Sequence, residues 1–179
     1  MVFEDEAGFS LVSPLKRTWA PCGDTPVLRT NITHHRRISV LGALLISPHG
    51  RRIRLCTRLH HRTITGREVV AFLRKLVRRV RGPIVLVWDN HPIHQRKVVH
   101  AYVARHPRLH IFLFPTYAPE LNPAEGIWTQ AVEALAGTAP RDIPELQANL
   151  TKALRRVRRS ARRLWACIYM SDLPWKRKR

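Results

Sequence analysis

Apolar and polar positions along the chain form short runs that predict strands in its first third. Met1 to Asp5 predicts an opening strand, and Arg37 to Ser47 predicts a second, largely apolar one. Turn residues from Ser47 to Gly50 lead into Arg52 to Leu59, where apolar and polar residues alternate. This pattern predicts a hairpin with one face in water.

The middle of the chain predicts alternating helices and strands. Thr65 to Glu68 reads as a capping box that opens a helix, and Gly82 with Pro83 ends it. The apolar run from Ile84 to Trp88 then predicts a buried strand. A helix from about His94 to His106 and a strand from Leu109 to Phe114 follow.

The last third predicts a loop and two helices. The loop covers Pro115 to Asn122, and the first helix runs from Pro123 to Ala136 with Asn122 as its N-cap. The last helix runs from about Ile143 to Leu164, with an apolar stripe and otherwise basic faces. This order of elements predicts an α/β fold with a mixed sheet, antiparallel in front and parallel behind.

The charge of the chain indicates a polyanionic partner, most simply nucleic acid. The 179 residues include 32 Lys and Arg against 12 Asp and Glu, for a net charge of +20. We expect phosphate contacts from four arginines near the end of the last predicted helix: Arg155, Arg156, Arg159 and Arg163. The simpler alternative is that these basic segments are solvent-exposed helix faces with no binding role.

Composition also bounds the class of protein. A hydrophobic content of 45% excludes a disordered basic tail. Neither a membrane span nor a signal peptide is evident, and three cysteines without a CxxC pair indicate a reducing compartment. We therefore expect a cytoplasmic, nucleoid-associated protein with no membrane partner. A single domain over residues 1–164 and a basic tail over residues 165–179 are predicted.

Three acids stand at the ends of predicted elements, namely Asp5, Asp89 and Glu125. If the two strands that carry Asp5 and Asp89 are neighbours in one sheet, both aspartates project from the same edge of that sheet. The helix after the loop could then place Glu125 beside them. Carboxylates so close repel one another unless protons or cations intervene. The predicted occupants are two Mg²⁺ or Mn²⁺ ions, which prefer oxygen ligands.

Each acid also has a simpler interpretation. Glu125 would complete a helix cap, Asp89 would be a turn acid, and Asp5 would form a solvated pair with Glu6. A zinc site at His91 and His94 is a further alternative, although no cysteine accompanies them.

Four successive segments resemble insertion-sequence transposases of the mariner type. They are Asp5 to Phe9, Trp19 to Gly23, Trp88 to His94 and, most specifically, Tyr117 to Trp128. The resemblance spans Met1 to about Leu164. It implies an RNase H-like catalytic domain of the DDE superfamily endonucleases, which cuts transposon ends and joins a 3′-hydroxyl to target DNA.

The resemblance also implies roles for particular residues. Asp5, Asp89 and Glu125 match the metal-binding and catalytic acids of the D-D-E triad. Asn90 and His94 match a segment beside the second acid, and with Asn122 they are expected to support the ligands or face DNA. The expected partners are transposon ends and target DNA, with a homodimer left open.

Some features depart from the family pattern. The chain begins on the first catalytic strand, without the helix-turn-helix region that usually precedes it, and no lysine stands four residues after Trp128. The tail after Leu164 also differs. We therefore keep two alternatives to a working transposase domain: a truncated or decayed copy, and a non-catalytic basic nucleic-acid-binding protein.

Overall fold

The computed structural model describes residues 1–12, 20–23 and 36–175. Two sequence predictions therefore lie outside the described residues. One is the tryptophan of the segment from Trp19 to Gly23. The other is the basic run from Lys176 to Arg179, which ends the predicted tail.

The described residues form one five-stranded mixed sheet. Its strands, in chain order, are β1 (Val2–Ser10), β2 (Arg37–Ile46), β3 (Ile53–His60), β4 (Ile84–Trp88) and β5 (Leu109–Leu113). In space the order is β3-β2-β1-β4-β5. The first three strands pair antiparallel, and β4 pairs parallel with β1 and β5. This confirms the predicted mixed sheet.

Five helices flank the sheet in the described part of the chain. They are α1 (Gly66–Arg79), α2 (Lys97–Ala104), α3 (Glu125–Leu135), α4 (Ile143–Arg158) and α5 (Ala161–Met170). The predicted capping box of α1 is confirmed, with Glu68 accepting a hydrogen bond from the Thr65 backbone at 3.0 Å. Helix α2 is shorter than the sequence predicts, because residues 92–95 form turns.

The prediction of one long final helix is wrong, because the chain breaks at Ser160. The Ser160 side chain accepts a hydrogen bond from the Arg163 N–H and so starts a new helix. The break lets Cys167 and Ile168 of α5 join the cluster that holds the apolar stripe of α4. Helix α5 thus continues past Leu164, where the sequence placed the beginning of the tail.

Two other features differ from the prediction. Helix α3 begins at Glu125, because residues 122–124 form tight turns in which Asn122 Oδ1 accepts from the Ala124 N–H at 3.1 Å. The polar face of strand β3 is less exposed to water than predicted, because Cys56 is buried on the α1 side of the sheet.

Strand β1 also continues past Asp5, so the prediction that this residue ends the strand is wrong. Its second half, to Ser10, pairs with β2. The parallel pairing with β4 stops much earlier, at Phe3. Asp5 therefore lies inside a strand but just beyond the end of its parallel neighbour.

The hydrophobic core has two layers, one on each face of the sheet. One cluster packs α3, α4 and α5 against side chains that include Phe3, Phe9 and Val40. The other packs α1 and α2 against side chains that include Val2, Leu41 and Leu86. Because neighbouring side chains of a strand point to opposite faces, β1 contributes to both layers.

Within the described residues, no helix combines the length and the apolar character that a membrane crossing needs.

Candidate active site

The register of β1 and β4 brings Asp5 and Asp89 to the same place. Phe3 pairs with Val87, and each aspartate stands two residues beyond its member of this pair. Strand β4 ends at Trp88, and among the described residues its parallel pairing with β1 stops at Phe3, two residues before Asp5. The two aspartates, 84 positions apart by their residue numbers, thus meet at the carboxyl end of the parallel pair.

Glu125 joins them from the first turn of α3. Asp5, Asp89 and Glu125 line one cleft of about 330 Å³, whose far wall is the loop from Phe114 to Pro119. Tyr117 of this loop is 97% exposed. The cleft is thus built from two strand ends, a helix start and a loop.

The ionisation of the three acids shows their crowding. Burial and the nearby Glu125 raise the pKa of Asp5 to about 7, although a hydrogen bond from Trp128 opposes this change. Burial and the charge of Asp89 raise the pKa of Glu125. Two of the three carboxyl groups therefore hold their protons more tightly than ordinary acids, which a bound cation would reverse.

Asp89 differs because it has a cationic neighbour. Its Oδ1 lies 3.3 Å from Nε2 of His94 and accepts a hydrogen bond from the His91 N–H at 3.0 Å. The neighbouring His94 is the main reason that the pKa of Asp89 lies below its ordinary value. Burial alone would lower the pKa of His94, but Asp89, Glu6 and Glu4 outweigh it and raise that pKa to about 10.

His94 lies beneath the cleft and does not line it. The imidazole is buried and stacks on the indole of Trp88, with ring centroids 4.1 Å apart. Of the other predicted neighbours, Asn90 and Asn122 line the cleft. Asn90 accepts a hydrogen bond from Gln95 at 2.8 Å, whereas Asn122 caps the turn before α3.

The four arginines predicted to contact phosphate do not line the cleft. Arg155, Arg156 and Arg159 are exposed at the end of α4 and on its C-cap. Arg155 lines two grooves, one with His61 and Thr151 and the other with Thr57 of β3. Arg163 is half-buried and donates a hydrogen bond to Gln130 at 3.2 Å.

Sequence reasoning missed two acids and assigned a third residue a lesser role. Glu4 is 1% exposed, and with Glu6 and His94 it forms a group whose possible ligand atoms all lie within 4.8 Å of one another. No other group of three in the described chain meets that distance, so the acids of the cleft are spread more widely. The signal was present: Glu4 and Glu6 alternate with Asp5 on a strand and so share a face.

The donor atoms of the cleft suit a hard divalent cation. They include the carboxylate oxygens of the three acids, and among the described residues neither lysine nor arginine lines the cleft to neutralise them. The chain thus has an RNase H-like fold with an acidic cleft at the carboxyl end of its parallel strands.

The sequence places the chain within a family of that class. A family described as DDE superfamily endonuclease matches residues 1–147, so the chain belongs to this family. This confirms the family that the sequence resemblance indicated. Membership implies dependence on a divalent metal. No curated protein matches the chain.

Solved structures of Mos1 transposase are similar in fold. A Mos1 transposase paired-end complex with left transposon end superposes with a TM-score of 0.71 at 17% identity, over 94% of this chain and 51% of that one. A pre-cleavage Mos1 transpososome gives a TM-score of 0.64 at 15% identity, over 98% and 56%. The catalytic domain of Mos1 mariner transposase gives 0.53 at 14% identity, over 94% and 80%. The chain thus spans about half the length of the two Mos1 chains in the complexes.

Proposed function

We propose that this chain is the catalytic domain of a mariner-type transposase that cuts and joins DNA. The observation that carries the proposal is the register of β1 and β4, which aligns Asp5 with Asp89 beside Glu125 in a DDE superfamily endonuclease. The similar Mos1 structures include complexes with a transposon end, which supports DNA as the partner.

In this proposal Asp5, Asp89 and Glu125 hold two Mg²⁺ or Mn²⁺ ions. Bound there, the ions would make a water or hydroxyl nucleophilic and stabilise the oxygen that leaves the phosphodiester. The protein orients the ligands: the Trp128 indole holds one oxygen of Asp5, and the His91 N–H holds Oδ1 of Asp89, with His94 Nε2 3.3 Å away. Asn90 and Asn122 lie within reach of a DNA strand that enters the cleft.

Two reactions follow from such a site. In cleavage, a water oxygen bonds to phosphorus and the bond to the 3′-oxygen breaks, leaving a 3′-hydroxyl and a 5′-phosphate. In strand transfer, that 3′-hydroxyl attacks a phosphodiester of target DNA and a target 3′-hydroxyl leaves. Transposon ends and target DNA are therefore the proposed partners, and the protein would act on the nucleoid, alone or as a homodimer.

The test is cleavage of supercoiled plasmid by the purified chain with Mg²⁺ or Mn²⁺. We expect nicking with metal, none with a chelator, and none from Asp5→Asn, Asp89→Asn or Glu125→Gln. Glu133→Gln is the matched control, because Glu133 is an exposed acid of α3 outside the cleft. Full nicking by any of the three cleft variants would remove that residue from the metal site.

A non-catalytic nucleic-acid-binding protein is the second candidate, and the net charge of +20 favours it. Such a protein would bind DNA equally well with metal or chelator and would never nick it. A decayed copy is distinguished by its folding: it would lack a cooperative melt, or a shift of that melt with Mn²⁺.

We retain the proposed division into a catalytic domain over residues 1–164 and a tail over residues 165–179. Helix α5 crosses the boundary between them.

A further inference from the structure

Three side chains meet on the face of β1 opposite Asp5. Glu4 and Glu6 point there because they alternate with Asp5 along the strand, and His94 reaches them from the segment after β4. His94 Nε2 lies 3.5 Å from Oε1 of Glu6 and 3.9 Å from Oε2 of Glu4. One ligand atom from each residue lies within 4.8 Å of the other two.

The burial of this group leaves several of its polar atoms without a hydrogen-bond partner in the described part of the chain. Glu4 is 1% exposed and His94 is 2% exposed. Among the described residues, neither oxygen of Glu4 and neither ring nitrogen of His94 has a partner in hydrogen-bond geometry, and Glu6 Oε1 has none either. Unsatisfied buried polar groups destabilise a fold, and charged ones do so more strongly.

We propose that Glu4, Glu6 and His94 bind one divalent cation, Zn²⁺ or Mn²⁺, at a site separate from the cleft acids. Two carboxylate oxygens and one imidazole nitrogen form a mixed set that suits these ions better than Mg²⁺. Ligand atoms about 2.1 Å from such an ion stand roughly 3.5 Å apart in tetrahedral geometry. Small side-chain rotations would therefore close the present group onto the ion.

The cation would join β1 to the segment that carries Asp89. His94 is fixed by its stacking on Trp88, the last residue of β4. Its Nε2 also lies 3.3 Å from Asp89 Oδ1, so an ion on this nitrogen borders the cleft from below. Glu4 and Glu6 flank Asp5 in sequence. Occupancy would thus set the spacing of Asp5 and Asp89 without using either as the principal ligand.

The experiment removes the cleft site and counts the ions that remain. In the full chain carrying Asp5→Asn and Glu125→Gln, we expect one Mn²⁺ or Co²⁺ per molecule in equilibrium dialysis. Electron spin-echo spectroscopy of bound Mn²⁺ should show coupling to an imidazole nitrogen. Adding His94→Gln should abolish that coupling and weaken binding at least tenfold, and Glu6→Gln should weaken binding similarly.

Two matched variants control for casual surface binding. His110→Gln removes an exposed imidazole of β5, and Glu133→Gln removes an exposed carboxylate of α3. Both should leave the ion and its nitrogen coupling unchanged. Circular dichroism in chelator checks that each variant folds. Because the spectrum is first recorded with all three ligands intact, a variant that fails to fold does not prevent the test.

The proposal is overturned if the chain without a cleft site binds no ion, binds one without nitrogen coupling, or keeps it after His94→Gln. In that case a proton on His94 neutralises the buried acids. These outcomes do not depend on nicking, so the extra site and the proposed nuclease can fail separately.

Discussion

The Trp128 indole donates a 2.8 Å hydrogen bond from Nε1 to Oδ2 of Asp5, between residues 123 positions apart. Both side chains are buried, and Trp128 also belongs to the core cluster that packs α3, α4 and α5 against the sheet. The core side chain thus fixes one carboxylate oxygen of the proposed metal site. This explains why a tryptophan three residues after Glu125 serves both packing and chemistry.

Replacing Trp128 with Phe should weaken the site more than the fold. The ring is largely kept, but the carboxylate loses a donor, which costs about 1.5–3 kcal/mol for a bond to a charged group. Since that bond lowers the pKa of Asp5, its loss should raise that pKa further. We expect the rising limb of the nicking pH profile to move upward. Trp165→Phe is the control, and an unmoved profile in Trp128→Phe would contradict the assignment.

Gly42 makes room for that indole. It pairs with Asp5 across β1 and β2, so both residues face the same side of the sheet. A Cβ at position 42 would lie 2.5 Å from Cη2 of Trp128, closer than real atoms approach. Gly42→Ala should therefore push the indole away from Asp5.

We expect Gly42→Ala to lower the free energy of unfolding by about 1–3 kcal/mol, as overpacked cores do, and to reduce nicking. Thermal or denaturant unfolding with intact metal measures the first effect. Gly8→Ala is the matched control, because a Cβ at Gly8 on the neighbouring strand meets nothing within 4 Å. Equal stability of the two variants would show that the indole moves without cost.

The sequence predicted the parts of this site that depend on local patterns. The apolar run predicts strand β4 directly, and the capping box predicts the start of helix α1, because each signal lies within a few residues. The convergence of Asp5 and Asp89 was predicted only conditionally. It depends on a register between strands that are far apart in the chain, and no local pattern states that register.

The errors have physical causes of the same kind. Strand β1 is predicted to end at Asp5, yet its pairing with β2, which is distant in the chain, continues as far as Ser10. The break at Ser160 was missed because the apolar stripe continues across it into α5. The burial of Glu4 was missed for lack of a partner in sequence, since His94 is 90 positions away by residue number.

The metal-free protein should lose stability as the pH rises from about 4 to 7. Asp5 has a pKa of about 7 in the folded protein against an ordinary value of 3.8, so the folded state binds more protons across this window. The stability due to protonated Asp5 is complete below pH 4 and lost by pH 7, by roughly 4 kcal/mol at most. Asp5→Asn should remove the part of this slope that is due to Asp5. Denaturant unfolding in chelator measures both proteins, and parallel curves would contradict the raised pKa.

DNA binding should depend steeply on salt, and the arginines of α4 should contribute more than Arg163. With at least six phosphates bound, affinity should fall roughly 10³-fold between about 50 and 200 mM salt. Arg155 and Arg156 are exposed, so changing both to Gln should reduce the log–log slope by about 0.9 for each phosphate that is no longer neutralised. The Arg163 guanidinium already donates a hydrogen bond to Gln130, so Arg163→Gln is expected to change the slope less.

Fluorescence anisotropy with a labelled duplex measures the slope of each protein. A flat response in the unsubstituted chain would remove the electrostatic basis for binding, because counterion release is what makes phosphate contacts salt-dependent.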